Sequence, residues 1–168
     1  TANFMPRVFG KGSLDMPAHQ ILYSTGIGAL GWNKTYGKQD SDERAFSMIQ
    51  MSDGGYALAG CAYYPVENKG WLVKTDSYGS MQWNKTYGLI GYSVMFQSVI
   101  QTSDGGYAMA GVTSKGSGDF YLVKADASGN MQWNKTYGGA GYEEAYSLVQ
   151  TIDGGYALAG YTESYGTN

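Results

Sequence analysis

The chain has 168 residues, with 11 basic and 14 acidic side chains and a net charge of −3. This balance, without any basic block, argues against nucleic acid or an anionic membrane surface as a partner. No apolar run approaches the roughly 18 residues that a membrane-spanning helix needs. The sequence starts at Thr1 without a recognisable leader, so we expect a processed chain or a fragment.

An internal repeat of about 50 residues dominates the sequence. The hexapeptide Trp-Asn-Lys-Thr-Tyr-Gly begins at Trp32, Trp83 and Trp133, and Asp-Gly-Gly-Tyr-Ala begins at Asp53, Asp104 and Asp153. Two markers that recur together at the same period define a repeat architecture before any local propensity is considered.

The predicted elements are short β-strands, because no segment sustains a 3.6-residue apolar period. Each repeat contains four strands, named A to D, and Asp-Gly-Gly forms the hairpin connection between A and B. In chain order they are a degenerate strand C and a strand D within residues 19–37; A to D at Ala45–Met51, Tyr56–Ala62, Trp71–Thr75 and Met81–Tyr87; A to D at Phe96–Thr102, Tyr107–Thr113, Tyr121–Ala125 and Met131–Tyr137; and A and B at Ala145–Thr151 and Tyr156–Thr162.

Four antiparallel strands per repeat, with glycine and aromatic markers, are typical of a β-propeller blade. We therefore predict an all-β repeat domain over residues 19–168, preceded by an apolar arm over residues 1–18. The domain divides into strands C and D at 19–37, one blade at 38–88, a second blade at 89–138, and strands A and B at 139–168.

The repeat units Asp119–Asp126, Met131–Gly138, Ser147–Gln150 and Asp153–Gly160 resemble those of tandem-repeat β-propeller proteins from archaeal and bacterial surfaces and secretomes. The resemblance covers roughly residues 21–165. It implies a propeller fold and an extracellular or cell-surface location, and it implies no particular activity.

The strand count amounts to about three blades, with one blade split between the two ends of the sequence. Propellers usually have four to eight blades, so three alone are too few. The split blade could be completed between two chains to give a six-bladed ring, or head to tail in a filament. Alternatively, the sequence is a fragment of a longer array or a truncated ring.

Each predicted strand D carries an Asn-Lys-Thr acceptor sequence for N-glycosylation, at Asn33, Asn84 and Asn134. The alternative explanation is that one ancestral sequence was copied with the repeat.

Loop residues near the start of strand A are the candidate ligand contacts, because these loops open on the central channel of a propeller. They are Asp40, Asp42, Glu43, Tyr92, Tyr142, Glu143 and Glu144. We expect no cofactor. The acids could hold a calcium ion or form a glycosidase carboxylate pair, although their spacing is not that of a known calcium loop and a solvated loop is the simpler explanation. Recurring tyrosines and tryptophans could stack on sugars, but packing between blades is the more usual role.

The sequence supplies no catalytic triad or zinc site, because it has one histidine, His19, and one cysteine, Cys61. Val112 and Tyr161 occupy the repeat position of Cys61, which indicates a core residue. We therefore expect a non-enzymatic structural or interaction protein that associates with itself, with glycans or other surface proteins as further partners. A lectin-like propeller is the first alternative, and a glycosidase-like fragment is the second.

Overall fold

The computed structural model describes residues 19–22, 33–37 and 42–164, and for residues 19–22 only the backbone. The predicted N-terminal arm and Asp40 lie outside these residues. The described part of the chain contains twelve β-strands and no helix, and so no helix that could cross a membrane. The strands are β1 His19–Leu22, β2 Asn33–Tyr36, β3 Asp42–Gln50, β4 Tyr56–Tyr63, β5 Lys69–Thr75, β6 Met81–Tyr87, β7 Val94–Gln101, β8 Tyr107–Thr113, β9 Asp119–Ala125, β10 Met131–Tyr137, β11 Glu143–Gln150 and β12 Tyr156–Thr162.

The strands form two four-stranded antiparallel sheets and two two-stranded ones. The complete sheets have the orders β3-β4-β5-β6 and β7-β8-β9-β10, and the incomplete ones are β1-β2 and β11-β12. The predicted all-β class and the four-stranded antiparallel units are therefore confirmed. Within the described residues, β1-β2 and β11-β12 are separate sheets, so the split blade is not completed within the chain.

Successive sheets pack face to face in chain order, and this packing makes the core. Strand β7 packs on β3, β4 and β5, and β11 packs in the same way on β7, β8 and β9. The first of these interfaces buries Leu72, Phe96, Met109, Tyr121 and Val123. Alanines of one sheet lie against the bulky residues of the next, which permits close packing of like sheets.

The first strands of three sheets, β3, β7 and β11, begin earlier than predicted, and each contains a β-bulge. Strand β3 starts at Asp42, because Asp42 and Glu43 pair with the last residues of β4 beyond a bulge at Phe46. Equivalent bulges occur at Gln97 and Tyr146. Opposite each bulge lies a glycine, and a Cβ at Gly60 would lie 1.6 Å from the carbonyl oxygen of Arg44. Only glycine permits this approach of two backbones.

The Asp-Gly-Gly connections are tight hairpin turns held by their aspartates. In the first turn, the N–H of Gly55 donates to Oδ1 of Asp53 at 2.9 Å, and Gly54 adopts a φ of +82°. A buried lysine of the third strand, Lys74, pairs with Asp53 at 2.8 Å. Lys124 and Asp104 repeat this ion pair at 2.9 Å. The turn therefore ties three of the four strands of a sheet together.

Candidate functional site

The three candidate glycosylation sites lie on edge strands of their sheets. Asn84 is exposed on β6, Asn134 is half-buried on β10, and Asn33 is exposed on β2. The side-chain amides of Asn84 and Asn134 each lie 3.5 Å from a methionine sulfur three residues earlier. The placement leaves Asn33 and Asn84 accessible, and modification of any of the three sites stays a prediction.

The acidic residues at the start of β3 and β11 have different environments. Asp42 pairs with Arg44 at 3.0 Å, whereas Glu43 is buried at the strand start. Glu143 is also buried and begins strand β11, which corrects the loop position that the sequence predicts for it. The described residues contain no group of three or more histidine, cysteine, aspartate or glutamate side chains that could hold a metal ion.

Glu143 uses both carboxylate oxygens to fasten the ends of the last sheet. Its Oε2 accepts the N–H of Gly139 at 2.9 Å, and its Oε1 accepts the hydroxyls of Thr162, at 3.0 Å, and Ser164. These bonds lower the pKa of Glu143, and the largest contribution comes from Ser164. The arrangement suits a structural anchor better than an acid or base that must exchange protons.

Glu144 lies at the centre of a second polar cluster. Its carboxylate accepts hydrogen bonds from Gln97 at 2.8 Å, from the hydroxyl of Tyr142 at 2.9 Å and from that of Tyr146 at 3.2 Å. Burial, followed by the bond to Glu144, raises the pKa of Tyr142 to about 12. This cluster joins the bulges of β7 and β11 and brings together two of the predicted loop residues, Tyr142 and Glu144.

Tyr92 closes a separate turn, in which its N–H donates to the carbonyl of Leu89 at 3.2 Å. A cavity of about 240 Å³ lies between β7, β8 and the loop of Tyr142. Its lining includes Asn68, Ser93 and Thr113, whose polar side chains accompany apolar Val94 and Val112. Of the predicted loop residues, Tyr142 lines this cavity and Tyr92 does not.

Recurring tyrosines join successive sheets by the same hydrogen bond to a glycine carbonyl, a contact that we call the lock. The hydroxyl of Tyr36 donates to the carbonyl of Gly79 at 2.6 Å, and that of Tyr87 donates to the carbonyl of Gly129 at 2.7 Å. Both tyrosines are buried, and each reaches the turn between the third and fourth strands of the next sheet. The packing explanation for these tyrosines is therefore the one that their contacts support.

The same lock is incomplete at the last sheet. Tyr137, the third tyrosine of the series, is 46% exposed and has no hydrogen-bond partner within the described residues. Lys85 on β6 donates a hydrogen bond from Nζ to Oδ1 of Asn130 in the next sheet at 3.2 Å, whereas its counterpart Lys135 lies over the Trp133 ring. The part of this face next to Tyr156 is covered, because the Trp133 and Tyr156 rings pack edge to face with 5.7 Å between their centroids.

An open groove of about 430 Å³ results on the face of β9 and β10. Its lining includes Phe120, Leu122, Trp133, Lys135, Tyr137 and Leu158. Sequence reasoning did not single out this set. Each residue stands at a repeat position that the preceding sheet interface covers, and this difference in burial between copies is not visible in the sequence pattern.

Strand β12 shows the same incompleteness along its edge and face. Ala57 and Ala59 on β4 and Ala108 and Ala110 on β8 are fully buried, whereas Ala157 and Ala159 on β12 are exposed. Among the described strands, β12 pairs only with β11, while β4 and β8 each pair on both sides. The candidate functional site is therefore a surface made of the β12 edge and the β9-β10 groove.

Comparison with known protein families and with curated proteins finds no match to this chain.

Proposed function

We propose that this protein is a non-enzymatic structural or interaction module that associates with itself through its incomplete β-propeller blades. The observation that carries the proposal is the exposure of Ala157 and Ala159, whose repeat counterparts on β4 and β8 are all buried. An exposed, apolar strand edge favours pairing with another chain unless something covers it.

The number of strands favours a pair of chains. The twelve strands of the described residues make three four-stranded blades, so a ring built only from copies of this 168-residue sequence contains a multiple of three. Only six falls within the usual range of four to eight blades, and six blades require two chains. The ring would be an isologous dimer in which each chain completes one blade of the other.

The proposed location is extracellular or on the cell surface, in keeping with the resemblance of the repeats to surface and secreted propellers. The accessible sequons at Asn33 and Asn84 would suit that location. The described residues contain a single cysteine, Cys61, which is buried and unpaired, so the fold does not depend on a disulfide.

Light scattering on the purified 168-residue chain over a dilution series tests the proposed association. We expect a particle of twice 18.1 kDa that persists on dilution into the low micromolar range. A monodisperse particle of 18.1 kDa would overturn the proposal.

Carbohydrate binding is a second candidate function, favoured by the cluster around Glu144. Tyr146 is 54% exposed beside a carboxylate that already accepts several hydrogen bonds. An exposed aromatic ring beside hydrogen-bond acceptors is suited to the apolar face and hydroxyls of a sugar ring. A broad glycan array tests this function, since binding that Tyr146→Ala abolishes would support it and the absence of any binding would contradict it.

A further inference from the structure

The incomplete last sheet has an internal template within the same chain. In the sheet β7-β8-β9-β10, strand β8 pairs with β9 along its whole length, and Met109 lies opposite Val123. Strand β4 pairs with β5 in the same register, with Leu58 opposite Val73. Two independent copies thus show which strand occupies the edge that β12 leaves open.

Strand β1 stands at the corresponding repeat position. Residues 19–31 align without gaps with residues 120–132, so Leu22 corresponds to Val123 and Ile21 to Leu122. Strand β1 is paired antiparallel with β2, as β9 is with β10. Among the described strands, β1 has β2 as its only partner, so its other edge is free.

Resting on the self-association proposed above, we infer that β12 of one chain pairs antiparallel with β1 of a second copy, in the register that places Leu158 opposite Leu22 and Ala159 opposite Ile21. The incoming β1-β2 hairpin covers the groove beside β10, and Tyr137 donates its hydroxyl to a backbone carbonyl of that hairpin. The pairing adds the third and fourth strands to β11-β12, which makes a four-stranded blade like the other two.

The groove has a filled counterpart at the preceding sheet interface. Its counterpart between β6 and the next sheet accepts a hairpin that delivers a glycine carbonyl to Tyr87 and an asparagine side chain to Lys85. Tyr137 and Lys135 stand at those two positions with exposed side chains. In the alignment Gly28 corresponds to Gly129, whereas Ala29 corresponds to Asn130, so the match covers the partner of Tyr137 and not that of Lys135. Trp133 already packs on Tyr156 as Trp83 packs on Tyr107, so the inner half of the interface is formed before the hairpin arrives.

The opposite end of the chain has a matching uncovered residue. Val99 on β7 is buried against the preceding sheet, whereas its counterpart on β3, Met48, is 48% exposed. Completion of the split blade would place β11 and β12 of the second copy over Met48. One docking event would thus cover both the exposed alanines of β12 and the exposed methionine of β3.

Cysteine cross-linking tests the register and distinguishes pairing between chains from pairing within one chain. The background is Cys61→Val, because valine occupies this repeat position at Val112 and removes the only native thiol. Directly opposite residues of antiparallel strands lie within the Cα separation that a disulfide accepts. Ala159→Cys and Ile21→Cys are introduced into separate chains, which are co-expressed and oxidised mildly.

We expect a disulfide-linked pair of chains, with up to about half of the material linked, because random pairing makes half of the dimers mixed. The neighbouring pair Leu158→Cys with Leu22→Cys should also cross-link. The matched control, Ala159→Cys with Gln20→Cys, should not, because a shift of one residue directs the side chain to the other face of the sheet. Each single variant alone should remain unlinked.

The outcomes separate this inference from the proposed self-association. A dimer that cross-links equally well in the control register, or not at all in either expected register, overturns the inference and leaves the self-association standing. A chain of 18.1 kDa that forms no cross-link overturns both. A bridge that forms only when both cysteines are in one chain shows closure within the chain and overturns both as well.

Hydrogen exchange gives a second test, which uses the unmodified chain and therefore does not depend on the folding of any variant. In a two-stranded sheet about half of the amides of β12 point to the open edge, whereas a strand paired on both sides uses all of them. We expect residues 156–162 to be as protected as residues 107–113. Fast exchange at alternate residues of β12 in a concentrated sample would contradict the pairing.

Discussion

Replacement of Tyr87 by phenylalanine tests the lock that joins successive sheets. The change removes one hydroxyl and leaves the ring in place, between Phe96 at 5.9 Å and the turn at Gly129. The hydroxyl is buried, and burial raises its pKa, so the neutral phenol is the donor at neutral pH. The loss is therefore that of one buried hydrogen bond.

The size of the effect follows from the carbonyl of Gly129, which loses this donor inside a packed interface. Loss of the bond together with the orphaned carbonyl costs about 1 to 2 kcal/mol. For a chain of this length, 1 kcal/mol corresponds to a shift of roughly 2 to 4 °C in Tm. We therefore expect Tyr87→Phe to lower Tm by roughly 2 to 8 °C, measured by circular dichroism at one fixed protein concentration.

Tyr137→Phe is the matched variant, because Tyr137 stands at the same repeat position with no partner in the described part of its own chain. In a monomer it should leave the free energy of unfolding unchanged. In the proposed dimer it should raise the dissociation constant at least about fivefold, because each six-bladed dimer would lose two hydrogen bonds, one from each chain. An unchanged Tm for Tyr87→Phe would refute the reasoning about the lock itself.

Three further predictions address the fold. Gly111→Ala should destabilise the chain by about 3 kcal/mol or more, because the new Cβ would lie 1.9 Å from the carbonyl oxygen of Met95. The control Gly105→Ala should cost only about 1 kcal/mol, because Gly105 has a φ of +80° but open space around the new Cβ. Urea midpoints that reverse this order would contradict the bulge explanation. Hydrogen bonds from Thr102 and then Lys124 lower the pKa of Asp104 in the folded chain. The ionised carboxylate therefore stabilises the fold above the unfolded pKa of about 3.9, and this contribution is lost as the pH falls below that value. Asp104→Asn should flatten the fall in the free energy of unfolding between about pH 5 and pH 2, and the same slope against pH for both proteins would contradict this. Burial raises the pKa of the Cys61 thiol to about 12, so a thiol reagent at pH 8 should react only after unfolding, and rapid reaction of the native chain would contradict the buried position.

Most of the fold was predictable because the repeat fixes the ends of its elements. The predicted bounds of strands β6, β8, β10 and β12 agree with the observed ones, since Tyr-Ala and Met-Gln-Trp markers begin them. For β3, β7 and β11, the predicted start lies two to three residues after the observed one. Their first residues lie beyond a bulge, and a bulge interrupts the alternation on which a strand prediction relies.

The candidate site was less predictable, because burial of a charged residue depends on partners far away in the sequence. Glu143 was predicted in a solvated loop, yet hydroxyls about twenty residues later bury and bind it. The Lys74 and Asp53 pair could have been found, because both residues recur together at Lys124 and Asp104. The open groove could not be located from one copy of the repeat, since only a comparison of burial among copies distinguishes Tyr137 from Tyr87.

A crystal structure of the assembled 168-residue chain tests the central claim most directly. The account predicts two chains around one axis, six four-stranded blades, and β1 of each chain hydrogen-bonded to β12 of the other. A structure in which β12 keeps an open edge, or pairs with β1 of its own chain, would contradict it.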